Sequence, residues 1–317
     1  VKSLLDNKES EVQMRIIRWL IMGGIAGCFC PIVVTGGGVG TTGVAFLKLA
    51  MDARSAAIGG MQAVPLEHSS AIFGNPAGLA EAQTMGFSFT YASWFQGIRF
   101  GNLSFVYPRE SYALSAGAIY LDYGDIPGYD VEAVSTGDFS ANDFCGLLGA
   151  SIKLSNDASI GGSLKFLNEK IDTETANGLG ADFGAMYRYP SMHMQFGLVL
   201  QHLGIVDLKF VEEETPLPTS LRFGAAYSLL NTEWNLLTFV AEANSSFGNK
   251  VYFDGGAEYC YHELLSLRAG YRTGPSDEGS GLCAGAGFFW NQYGLNYAFE
   301  PFGELGNTHR FTFMVAL

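Results

Sequence analysis

From Met85 to the C-terminus the chain alternates apolar and polar residues with a period of two, again and again. That period belongs to a strand with two different faces, because successive side chains point to opposite sides of a sheet. Phe87, Phe89 and Tyr91 share one face, and Ser88, Thr90 and Ala92 the other. Phe144, Leu148, Ala150, Ile152 and Leu154 oppose Ser151 and Lys153. Ala181, Phe183, Ala185, Tyr187 and Tyr189 oppose Asp182 and Arg188. Leu282, Ala284, Ala286, Phe288 and Trp290 oppose Gly285 and Gly287, and Phe311, Phe313, Val315 and Leu317 oppose Arg310 and Thr312. Followed to the end, the pattern predicts about fourteen strands of roughly ten residues, an even number at the length a membrane-barrel strand needs.

A soluble sandwich shows the same alternation with its apolar face turned inward, so the composition of each face has to decide. The apolar face carries Tyr or Trp near many strand ends, as the interfacial girdles of a barrel require. The other face gathers charges of both signs: Lys165, Glu169, Asp182, Arg188, Arg222, Glu242, Asp254, Glu258, Arg268 and Arg272. Such charges are costly against lipid and tolerable in a hydrated or plugged lumen. Charged residues make up 15% of the chain, aromatics 14%, and glycine numbers 41, against about 25% charge and about 7% Gly in a soluble domain. The expected fold is all-β: a transmembrane antiparallel barrel with an N-terminal helical or irregular plug. Connection lengths agree. Pro108–Ser111, Ser155–Asp157, Pro190–Ser191 and His262–Glu263 read as short turns on one side. Gly124–Asp143, Asp172–Gly178, Leu203–Thr219, Thr273–Gly279 and Pro301–His309 read as longer loops on the other, as in outer-membrane barrels, with Phe95–Ile98 and Ser246–Asn249 as short exceptions on that side.

Ahead of the strands, three stretches differ. Residues 1–40 read as a leader: Arg15 and Arg18 precede an apolar run from Trp19 to Val34, the layout of a secretory signal with its natural start at Met14. Cleavage between Cys28 and Gly40 is expected; Ile25-Ala26-Gly27-Cys28 also resembles a lipobox, in which Cys28 would be lipidated. The glycine cluster at Gly36–Gly40 lacks the strand and helix that a phosphate loop needs. Residues 41–84 are rich in small side chains and read as the plug, with residues 85–317 as the barrel. Within the plug, Gly59-Gly60 can reverse the chain at low steric cost. Asn75 suits a helix cap and Pro76 its first turn, followed by Ala77 and Gly78.

Several function classes are excluded by the residues. A net charge of −13 argues against nucleic acid, whose phosphates demand a Lys/Arg footprint. The five cysteines show no paired metal-ligand spacing, and Cys145, Cys260 and Cys283 read as small wall residues. The histidines are scattered and no hydrolase signature appears, so no catalytic residue, metal or cofactor is expected. The Glu212-Glu213-Glu214 run reads as a solvated loop.

Phe46-Leu47-Lys48-Leu49, Ala53 to Gly60 and Asn75-Pro76-Ala77-Gly78-Leu79 resemble the opening of the PorV/PorQ family of outer-membrane proteins, relatives of the FadL-type transporters. Pro216–Tyr227 and Glu304–Phe313 resemble later signatures of that family. Two departures stand out: Leu66-Glu67-His68 has a single acid where relatives carry an acidic pair, and the chain ends on Leu317 where such barrels favour Phe. The resemblance implies the outer membrane of a Gram-negative bacterium, with lipid around the barrel. It implies a role in type IX secretion, binding cargo proteins and passing them on. The alternative it implies is a FadL-like transporter of hydrophobic small molecules.

Overall fold

The computed structural model describes residues 43–94, 97–210, 213–246, 250–274, 280–303 and 306–317. The expectations for the leader, Met14, Cys28 and Gly36–Gly40 lie outside the described residues, as does Glu212. In chain order the strands are β1 (Gly86–Ser93), β2 (Arg99–Pro108), β3 (Tyr112–Tyr129), β4 (Ser135–Lys153), β5 (Ala158–Ile171), β6 (Glu174–Tyr189) and β7 (Met194–Val206). There follow β8 (Leu208–Phe210), β9 (Glu213–Thr215), β10 (Ser220–Asn231), β11 (Asn235–Ser246), β12 (Val251–Tyr261), β13 (Leu265–Arg272), β14 (Leu282–Trp290), β15 (Tyr293–Pro301) and β16 (Asn307–Ala316). All but β8 and β9 form one closed antiparallel barrel of fourteen strands. The seam is β1 against β16, in register from Gly86 opposite Ala316 to Ser93 opposite His309. Closure removes every unpaired sheet edge, which a bilayer would not tolerate.

The barrel is inverted relative to a soluble protein. Leu148 is 69% exposed and Leu267 65%, whereas Lys165 and Glu258 are 2% exposed. Apolar side chains outward and buried charge inward is the arrangement a lipid solvent selects. Tyr112, Tyr227, Trp234, Tyr261 and Trp290 are exposed near the short-turn end, the place of an interfacial girdle.

Two loop expectations are corrected. Gly124–Asp143 is mostly strand, because β3 and β4 keep pairing beyond the barrel rim, with Asp125 opposite Ser140 and Gly128 opposite Gly137. β3 continues past its last pair with β2, Arg99 opposite Asp122, to Tyr129, so at ~3.3 Å per residue the β3–β4 hairpin extends roughly 23 Å along the strand beyond that rim. Asp172–Gly178 likewise reduces to a tight turn between β5 and β6. The pleat continues smoothly across the membrane boundary, so alternation alone does not mark where a membrane strand stops. Ala181, placed on the outer face by alternation, is 4% exposed. It lies at a register shift between β6 and β7. There the single residue Asp182 faces both Gln201 and His202, a β-bulge, and His202 has a φ of +56°.

Candidate functional site

Residues 43–84 lie inside the barrel. Their buried polar groups are met by inward side chains from β2, β5, β7, β11, β12 and β16, which surround them on all sides. The segment consists of 3-10 turns at Ala45–Lys48, Ala71–Phe73 and Pro76–Glu81, and one short helix, α1 (Ala53–Ala57). Asp52 caps α1 by accepting the Ser55 N–H at 2.8 Å. Asn75 caps the Pro76–Glu81 turn, its Oδ1 accepting the Ala77 N–H at 3.0 Å. Its Nδ2 donates to the carbonyl of Ala63 at 2.7 Å and reaches those of Ala185 and Leu198 on the wall. Its amide accepts through the oxygen and donates through the nitrogen, so Asn75 joins cap, plug and wall. Pro76, Ala77 and Gly78 beside it are buried, as are Gly59 and Gly60, which lie apart from it against β12 and β13.

Charged wall residues grip the plug backbone. Glu242 accepts the N–H groups of Gln62 at 2.9 Å and Ala63 at 2.7 Å, and Arg222 neutralises it at 2.9 Å. Glu258 receives the Arg54 fork, with Nε at 2.8 Å, together with Arg268 from the adjacent strand. Asp254 stands between Glu242 and Arg272 in cross-strand register. Arg272 and Arg310 share Glu300, and Arg310 donates to the Ala50 carbonyl. Thr312 accepts the Ala53 N–H at 2.8 Å. On the opposite wall Ser104 donates to the Ser69 carbonyl, Ser159 to that of Ala77 and Gln201 to that of Gly74. Lys165 pairs with Asp182 at 2.8 Å in its own buried cluster. Arg188 is half-exposed at the short-turn end, where it pairs with Glu81 of the plug. Glu169 faces Asp143 across the β4–β5 ladder, towards the opposite mouth.

Where plug backbone comes closest, the wall is glycine. A methyl on Gly197 would overlap the Ala63 carbonyl oxygen, one on Gly184 the Asn75 amide oxygen, and one on Gly285 would lie 2.5 Å from the Ala57 side chain. The glycines meet in register as Gly161–Gly184, Gly197–Gly224 and Gly256–Gly270. They form a seat that no larger residue would leave free.

The lumen is uneven around its circumference. Strands β10 to β16 supply much of the charge, and Asp143, Lys165, Glu169 and Asp182 on β4 to β6 add a second group. Strands β2 to β5 turn Phe100, Ile119, Leu121, Cys145, Leu147 and Leu167 inward, all buried. This apolar sector packs on Val44, Phe46, Leu47 and Met51 of the plug and on Leu208 and Leu217 of the β7–β10 connection. At the short-turn end a cleft of about 230 Å³ opens between plug and wall, lined in part by His68, Gln83, Phe289, Tyr293 and Met314. Burial, together with Arg54 and Arg188, depresses the pKa of His68 to about 4. Burial outweighs Arg54 in pushing the Glu67 carboxyl above its usual range. No group of three His, Cys, Asp or Glu able to hold a metal occurs among the described residues.

Sequence reasoning grouped the charges on one face but missed several partners. Glu300 and Arg310 shared that face and could have been added by parity. Arg54 carries no period-two signal, and His202 is turned inward only by the bulge.

No family model matches the chain, and no curated protein matches it. Solved structures do match. The toluene transporter TbuX of Ralstonia pickettii aligns at a TM-score of 0.63 and 15% identity, over 86% of this chain and all (100%) of that one. The monoaromatic hydrocarbon channel CymD aligns at 0.60 and 14% identity, over 85% and 98%. The toluene transporter TodX of Pseudomonas putida aligns at 0.57 and 14% identity, over 84% and 96%. At these identities the likeness is one of fold.

Proposed function

We propose that this chain is an outer-membrane channel for small hydrophobic molecules. The observation that carries the reading is the apolar sector between β2 and β5, set against the plug in an otherwise charged lumen. Phe100, Ile119, Leu121, Leu147 and Leu167, which now pack on the plug, would offer a hydrophobic molecule an apolar surface once the plug moves. The fold shared with TbuX, CymD and TodX supports the same reading. The plug would hold the route shut at rest, with the Asn75-Pro76-Ala77 turn and the Glu242 and Glu258 anchors as its fastenings. Deleting the gene should slow uptake of small aromatic hydrocarbons, and the purified barrel should restore it in proteoliposomes; unchanged uptake in both would sink the reading.

The type IX reading rests on the sequence signatures around Phe46–Leu49, Asn75–Leu79 and Pro216–Tyr227. The β3–β4 hairpin, standing clear of the rim, is the surface that would meet cargo. Secretion of cargo proteins that survives deletion of the gene would rule this second reading out.

A further inference from the structure

The β3–β4 hairpin carries an open sheet edge. β3 pairs with β2 as far as Asp122, and β4 with β5 as far as Ala141. From Ser135 to Phe139, β4 has β3 on one side and, among the described residues, no strand on the other. A free edge invites pairing with another chain, and native proteins blunt it with Pro, charge or a bulge.

The two edges of the hairpin differ. Successive residues of a strand turn their backbone groups to opposite neighbours. The Asp172 N–H donates to the Ser140 carbonyl at 2.9 Å, on the side away from β3. Two positions away, Asp138 therefore turns its N–H and C=O to that same side. Pro127 lies opposite Asp138, so its nitrogen faces out from the other edge, and that nitrogen has no hydrogen to donate. The β3 edge is thus stopped by Pro127 and by the register shift between Asp122 and Asp125. The second shift, between Gly128 and Tyr129, sets Thr136 aside close to the tip and leaves the stretch around Asp138 in register. The β4 edge continues the hydrogen-bonding row that the Asp172 N–H begins.

Charge and pleat select the occupant. The chain has no Lys or Arg between Glu110 and Ile152. Asp138 is exposed on the open edge, and Asp172 and Glu174 are exposed on the turn at its foot. Lys170, opposite Asn142, lies lower on β5. A second copy of the hairpin would set acid against acid, which destabilises a cross-strand pair, whereas a basic strand gains from the same position. A residue opposite Asp138 shares its face of the sheet. The residues on either side of it share the face of Phe139 and its cross-strand partner Ile126, both half-buried. The strand that fits therefore alternates basic and apolar residues.

We infer that the β4 edge from Ser135 to Phe139 is a docking site for an extended basic segment of another polypeptide, added as a strand with a basic residue opposite Asp138. The inference goes beyond the cargo reading, which needs only that the hairpin meets a protein. The probe is an acetylated, amidated hexapeptide of alternating lysine and valine. Residues set opposite Asp138 point their own N–H groups at β4. Backbone N-methylation of the lysines therefore removes the hydrogen bonds, and N-methylation of the valines leaves them, at equal charge. Fluorescence anisotropy with the purified full chain in a non-ionic detergent should show binding by the parent and by the valine-methylated peptide. The lysine-methylated peptide should bind roughly tenfold more weakly or worse, and a glutamate–valine peptide should not bind. Asp138→Asn should weaken the parent peptide by up to about fivefold. Asp138→Pro, which also removes the edge N–H, should weaken it further. The hairpin stands beyond the barrel rim, so both variants should keep their heat-modifiable gel mobility. Equal binding by the two methylated peptides would overturn the inference, leaving charge alone as the attraction. So would no binding by the parent peptide, or equal binding by the two variants. Loss of cargo secretion on deletion of the gene, together with no peptide binding, would leave the cargo reading standing and remove this one.

Discussion

Gly197→Ala places a methyl where the Ala63 carbonyl oxygen now sits. The plug cannot simply step aside there. The Ala63 N–H is held by Glu242 and its carbonyl by Asn75, both at 2.7 Å. Two outcomes compete. If the plug stays, the overpacked contact costs about 1–3 kcal/mol. If it leaves, the Gln62 and Ala63 N–H groups lose a charged acceptor, at about 1.5–3 kcal/mol each. The first is cheaper, so the barrel remains plugged while its closed state loses about 1–3 kcal/mol. That shift raises the population with a displaced plug roughly 5- to 150-fold. Single-channel recording in planar bilayers reads this directly as more frequent openings. Protease nicking within residues 59–66 should rise in parallel. Gly146→Ala is the control: it is half-buried, away from the plug, and the nearest atom to its added methyl is a Phe144 ring carbon at 3.5 Å. If both variants open alike, or neither differs from the natural chain, the glycine seat does not hold the plug.

Arg54→Met removes the plug's fork from Glu258 and leaves that carboxylate to Arg268 alone; losing these charge-assisted hydrogen bonds should cost about 1.5–3 kcal/mol, measured as a lower urea midpoint for plug protection. Leu148→Arg puts a charge on the lipid face near the middle of the part of β4 that pairs with β5 and should cost about 2–4 kcal/mol when folding into vesicles is titrated with denaturant, while leaving plug protection unchanged. His68 gives a pH dependence. Its pKa inside the barrel, about 4, lies below the ~6.5 of a free histidine, so as pH falls the released segment protonates first. Its contribution to plug seating is full above about pH 6.5 and is lost progressively towards pH 4, by about 1–3 kcal/mol. Channel openings should therefore increase over that window, and His68→Gln should flatten the dependence.

The barrel was legible because lipid and lumen impose opposite demands on alternate residues. Phe253 beside Asp254, or Leu267 beside Arg268, leaves one orientation open once the surroundings are a bilayer. The apolar sector was harder to read. Leu147 and Leu148, or Phe166 and Leu167, are apolar on both faces, and period two vanishes where the lumen is itself apolar. The β8–β9 hairpin was hidden for another reason: three-residue strands are too short for alternation to register. The plug's partners depend on register across the whole ring. Arg54 meets Glu258 across 204 positions of chain, a distance over which no local pattern speaks. Asn75 was found as a cap because a cap is local; its bonds to Ala185 and Leu198 were not, because they are set by the wall.

The seam between β1 and β16 also bears on how the molecule assembles. The plug precedes every strand in the chain, yet β16, the last to be made, brings Thr312 and Arg310 to the plug's Ala53 and Ala50. The same strand must find β1 to complete the ring. Closing the cylinder with β16 therefore also completes a grip on the plug that Ser104, Ser159, Gln201, Glu242 and Glu258 supply from other strands. Until then the newly made chain is an open trough in which the plug can be fitted from the side. Contacts so distant in sequence form slowly, and the Ala50–Ala53 stretch, by binding β16, favours closure around a filled interior over closure around an empty one.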